Sequence, residues 1–117
     1  MHSFTEQQLK DTLKIIESII INCEKIQSKL KEGSSSLSLS KNRIEALYIS
    51  KDLLANKENE YSKEELEKAI IQITSIKNKS ITGLNNAKEG SSTYTRFLKL
   101  INAMSIVLVY LKKAIEK

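Results

Sequence analysis

Shifted by 57 residues, this chain of 117 aligns with itself without a gap. Lys31-Glu32-Gly33-Ser34-Ser35 returns as Lys88-Glu89-Gly90-Ser91-Ser92, and Leu9, Ile16, Ser18 and Ile19 return as Leu66, Ile73, Ser75 and Ile76. Ile44, Ala46, Ile49 and Leu54 return as Ile101, Ala103, Ile106 and Leu111. Most of the 13 identities among 60 aligned pairs fall on apolar or turn positions, which reads as a tandem duplication. Whatever the first half builds, the second is expected to build again.

The repeated unit announces itself as helical. Thr5-Glu6-Gln7-Gln8 and Ser62-Lys63-Glu64-Glu65 are both capping boxes, each with an aromatic residue before the cap and a leucine placed to staple it (Phe4 with Leu9, Tyr61 with Leu66). Helices are therefore expected to start near residues 6 and 63. Leu9, Leu13, Ile16, Ile20, Cys23 and Leu30 follow 3-4 spacing in the first, as do Leu66, Ala69, Ile73, Ile76, Ser80, Leu84 and Ala87 in the third. Each is expected to run to a glycine, Gly33 or Gly90, in the left-handed C′ position. The following serines then cap a second helix over about 37–55 and a fourth over about 94–115. Ile44, Leu47 and Leu54 mark the stripe of the second, and Phe97, Ile101, Met104, Leu108 and Leu111 that of the fourth.

Short Gly-Ser turns make the helices within each half antiparallel neighbours, and Asn56 to Glu60 form an equally short link between halves. The reading is an all-α, antiparallel up-down-up-down four-helix bundle, one domain over 1–117, with hairpin repeats 4–57 and 61–117. With no proline, three glycines and 40% hydrophobic residues, the composition agrees. Gly83 is the residue at odds with it, since glycine inside a helix costs about 1 kcal/mol relative to alanine. Either another helix packs closely there or the third helix bends.

Catalytic chemistry finds little to use. The one histidine, His2, sits at the terminus, which removes Ser/His/Asp and Cys/His arrangements and the Glu-x-x-His pairs of di-iron bundles. No Gly-rich phosphate loop or metal-ligand spacing appears, and no cofactor or small-molecule substrate is expected. Glu58, Glu60, Glu64, Glu65 and Glu67 read as acidic residues favourable to the N-terminus of the third helix. Cys23 reads as a small buried thiol on the apolar stripe, and Met1 to Leu9 carry no basic segment followed by an apolar run. A non-enzymatic protein of the reducing cytoplasm is the expectation.

The net charge of +5 is unevenly placed. Residues 24–45 and 77–102, the end of an up-down bundle that carries both Gly-Ser turns, hold ten cations against four anions. The remainder holds the other nine cations and ten anions, so all the excess lies at the turn end. The N-termini of the second and fourth helices also point there. Ser34, Ser35, Lys41 and Arg43, with Ser91, Ser92, Arg96 and Lys99, are therefore candidates for binding an anion or an acidic partner surface, against the plainer reading of caps and solvated lysines. A second candidate is the outer face of helix four. Twelve of the fifteen residues from Phe97 to Leu111 are apolar, too few for a membrane span of about 20 residues but more than one buried stripe needs. Leu98, Leu100 and Val109 are the candidates for a homodimer or partner face.

As a small basic bundle rich in Ile, Lys and Asn, the chain resembles the immunity proteins that protect bacteriocin producers, which implies action at the cytoplasmic membrane face. The duplicated hairpin is similar to a fused version of the plasmid-encoded hairpin dimers that bind paired RNA loops, but scarce aromatics and interspersed glutamates argue against nucleic acid. The sequence points first to a protein–protein interaction module, then to a protein of the anionic membrane surface, and last to an RNA binder.

Overall fold

The computed structural model describes residues 4–55 and 60–116, which form four helices and no strand: α1 (Glu6–Gln27), α2 (Ser35–Leu54), α3 (Lys63–Asn86) and α4 (Ser92–Glu116). His2 and residues 56–59, Glu58 among them, lie outside the described residues. Both capping boxes form. The Thr5 hydroxyl accepts from the Gln8 amide at 3.0 Å and the Gln8 side chain accepts from the Thr5 amide at 2.8 Å, and Ser62 and Glu65 exchange the same pair of bonds at 3.1 and 3.0 Å. α2 and α4 begin on single caps, the hydroxyls of Ser34 and Ser91 accepting from Leu37 and Tyr94 at 3.2 and 3.1 Å.

The glycines do a different job from the one expected. α1 stops at Gln27, short of Gly33, because the Ser28 hydroxyl takes the Lys25 carbonyl at 2.7 Å and the amides of Lys29 and Leu30 fall back onto Ile26 and Gln27 at 3.0 Å. Such three-residue bonds tighten and end a helix. α3 likewise ends at Asn86, with Ala87 extended. Gly33 (φ 82°) and Gly90 (φ 85°) occupy the third position of turns closed by the amides of Ser34 and Ser91 on the carbonyls of Lys31 and Lys88. A positive φ is required at that position. Each glycine thus delivers the chain to the next helix's cap.

Ile16, Leu47, Ile73, Met104, Val107 and Leu111 are fully buried at the centre of the core. Val107 was not expected in the core; of the residues that were, Leu66, Ile76 and Leu108 are also buried, and Leu9, Ile19, Ile44 and Ile101 are half-buried. The hydroxyls of Thr12, Ser50 and Ser80 are buried too, and each donates to the carbonyl four residues earlier, at 2.7 to 2.8 Å. No buried hydroxyl here costs an unmade hydrogen bond. Gly83 is explained by close packing: the Phe97 ring of α4 occupies the place a β-carbon would take.

Helices of 20 to 25 residues are about 30–38 Å long. Four near-parallel helices packed two by two would extend that far in one direction only, yet the molecule measures 41 × 40 × 19 Å. The helices are therefore spread over a flat slab. The most extensive contact is α3 on α4, α2 and α4 also touch, and α1 and α3 do not meet among the described residues.

Candidate functional site

Burial is confined to one part of the bundle. No residue in 21–45 or 81–102 is buried, although those stretches carry Cys23, Leu30, Leu37, Leu39, Ile44, Leu84, Phe97 and Leu100. Five of the seven large exposed hydrophobics, Ile21, Ile26, Leu39, Ile81 and Leu98, are found there. Leu39 is the most telling. It stands four residues before Arg43 and eight before fully buried Leu47, on the core-ward face of α2, and is nevertheless 62% exposed. The helices cover one another around Ile16, Leu47, Ile73 and Met104 and leave their turn-proximal halves partly uncovered.

Where the packing opens lies a cavity of about 210 Å³. Ile19, Cys23, Ile76, Phe97 and Leu100 form its apolar wall, and Arg43, Lys79 and Ser80 contribute its polar edge. All four helices supply residues. Arg43 is half-buried, and its Nε is buried with no hydrogen-bond acceptor among the described residues. Burial pushes the Cys23 thiol above its ordinary 9.0, the Arg43 charge pulls the other way, and Glu24 adds to the rise. A thiol so held is poorly ionised at neutral pH, which opposes a nucleophilic role.

The residues singled out by sequence for an anion site have separate surroundings. Ser34 and Ser91 spend their hydroxyls on their own helices, and Ser35 and Ser92 are exposed in the first turns of α2 and α4. Lys41 edges a groove between α1 and α2, Lys99 a groove between α1 and α4, and Arg96 lies over the Phe97 ring at 5.6 Å. Arg43 alone among them reaches the shared cavity. On α4, Leu98 is 39% exposed while Leu100 and Val109 are half-buried, and Val107 and Leu108 belong to the core. Much of the apolar excess of this helix is thus spent inside the molecule, chiefly along its contact with α3.

Sequence reading missed the cavity and the exposed Leu39 and Ile26. The alternation Ser36-Leu37-Ser38-Leu39-Ser40, polar and apolar within one helix, was the available sign that this end of α2 is incompletely packed. Among the described residues, no three His, Cys, Asp or Glu side chains gather as metal ligands, and no helix is long and apolar enough to cross a membrane. No family model matches the chain, and neither a curated protein nor a solved structure is significantly similar to it.

Proposed function

We propose that this is a non-enzymatic protein–protein interaction module, built from two tandem hairpins packed up-down-up-down, that engages its partner through the end carrying both Gly-Ser turns. The observation that carries this reading is the coincidence, in the same stretches, of uncovered apolar residues with ten of the 19 cations. Contiguous apolar surface left open and rimmed by polar residues marks interaction sites.

The tandem arrangement is supported by burial. At the 57-residue offset Thr12 pairs with Ala69, Ile16 with Ile73, Ala46 with Ala103, Leu47 with Met104, Ser50 with Val107 and Leu54 with Leu111, and every one of these twelve residues is buried. Phe4, before α1, stacks on Tyr110 near the end of α4, as an antiparallel pairing of first and last helices requires.

Affinity capture with the wild type and a Lys25→Glu/Arg96→Glu variant tests the proposal, with flotation on anionic and neutral vesicles in parallel. A protein retained by the wild type and lost by the variant supports it. Flotation on anionic vesicles alone would instead favour a membrane-surface or immunity-type role, and selective RNA retention the third reading. A second site on the same chain is favoured by the exposure of Leu98 on the outer face of α4, where a twofold dimer would meet.

A further inference from the structure

We infer that the partner presents an acidic amphipathic helix, whose apolar anchor enters the cavity at the mouth of the core and whose carboxylate pairs with Arg43. The inference rests on the proposed turn-end interface and names its occupant.

Three observations select it. The first is size: at about 210 Å³ the cavity lies below the range of small-molecule sites, about 300–1,000 Å³, and suits one large side chain. Interfaces commonly place such an anchor in a pocket of this kind. The second is charge. Lys25, Lys29, Lys77, Lys79, Arg96 and Lys99 share this end with Arg43, so a second copy of the chain approaching by the same end would meet its own charge sign, and an acidic partner the opposite one.

The third is an inequality between equivalent positions. Ile19 and Ile76 both line the cavity, as do Cys23 and Ser80, and these pairs are one repeat apart. The next such pair is Arg43 and Leu100. One half of the molecule closes the wall with leucine, and the other brings a guanidinium whose Nε is buried and unmatched. An unmatched buried donor is costly, no ion pair holds this guanidinium among the described residues, and an incoming carboxylate is the group that pairs with its charge best. The apolar wall is recessed, its residues being half-buried apart from buried Ile76. A flat bilayer surface does not reach such a floor, whereas a helix edge does. Ile26, three residues beyond Cys23, and Leu39 extend the apolar track on which that helix would lie.

The test uses the full chain and two synthetic amphipathic helices with leucines at 3-4 spacing, one flanked by Glu and one by Lys. Binding is read by anisotropy and by methyl and amide chemical shifts. The Glu helix is expected to bind at least about tenfold tighter than the Lys helix, shifting Ile19, Cys23, Leu39 and Phe97, and to weaken as salt rises. Arg43→Met should lose about tenfold or more, and Arg43→Lys should recover part of it. Leu100→Ala, which enlarges the cavity without changing charge, should alter anchor preference toward bulkier side chains. Equal binding of both helices, or shifts centred on Leu98 and Val109, would overturn the inference. So would charge-dependent capture of a natural partner that Arg43→Met leaves unchanged, an outcome that keeps the interaction module and removes this occupant.

Discussion

The ring of Phe97 on α4 lies directly against the backbone of Gly83 on α3: a β-carbon built at Gly83 would stand 2.6 and 2.7 Å from Phe97 Cε1 and Cε2. Atoms do not approach so closely, so any side chain at 83 must displace the ring. The guanidinium of Arg96 lies over that ring, 5.6 Å from its centroid.

Two effects of opposite sign therefore meet in Gly83→Ala. Helix propensity favours alanine by about 1 kcal/mol, and overpacking against Phe97 costs about 1–3 kcal/mol. We expect the variant to be destabilised in the wild-type background and stabilised by up to about 1 kcal/mol in a Phe97→Ala background. Denaturant unfolding of all four members of that cycle measures the coupling. Equal stabilisation in both backgrounds would mean that the ring does not select glycine.

How far a sequence can be read depends here on the range of the interaction. The boxes at Thr5 and Ser62 close within four residues, and the 3.6-residue stripe involves one helix at a time, so both are written locally. None of the residues on the four expected apolar stripes, Leu9 through Leu111, is exposed. The end of α1 was misplaced because the Ser28 hydroxyl competes for the Lys25 carbonyl well before Gly33. The cavity was unreadable for a deeper reason. It depends on how the helices diverge, and Leu39 has the same helical phase whether a neighbour covers it or not. Val107, which lies off the stripe expected of the fourth helix, is fully buried by the same inter-helix geometry.

Core truncation should follow burial closely. Ile73→Ala and Met104→Ala, both at fully buried positions, are each expected to cost about 2–5 kcal/mol. Ile71→Ser, at a position 65% exposed, should stay within about 0.5 kcal/mol. Chemical denaturation under one set of conditions compares them, and a large loss at 71 would indicate a contact outside the monomer.

The caps give a second stability test. Ser34→Ala and Ser91→Ala should each cost about 1 kcal/mol, since each removes the acceptor of one helix-start amide. Gly33→Ala meets no neighbouring atom, and its expected cost of about 1 kcal/mol comes from the positive φ alone. Thermal unfolding of the three variants checks this, and a neutral Gly33→Ala would show that the turn adjusts.

Alkaline behaviour should carry a mark of Cys23. Its folded pKa is raised above 9.0 by burial, so the protonated thiol binds its proton more tightly in the native state. That contribution to stability is fully present below 9.0 and is lost as pH rises through the folded value. Alkylation at varied pH should show an inflection above 9.0, moved higher in Arg43→Met because the guanidinium favours the thiolate. An inflection that the Arg43 variant leaves in place would separate the two side chains electrostatically.

For the outer face of α4, sedimentation of the wild type and a Leu98→Glu/Val109→Glu variant gives the answer. A concentration-dependent dimer in the wild type alone supports a contact there. Two folded monomers of equal solubility remove it.

Placing Arg43 and Leu100 at equivalent positions has a genetic consequence. Had the proposed hairpin remained a separate chain pairing with itself, every change at this position would have appeared twice across the cavity, and two guanidiniums would have confronted each other at close range. If the two halves are copies, as proposed, joining them in one polypeptide lets each mutate alone. One inherits the duty of sealing the interior, and the other is released to carry charge, a division of labour that a gene encoding a single hairpin does not permit.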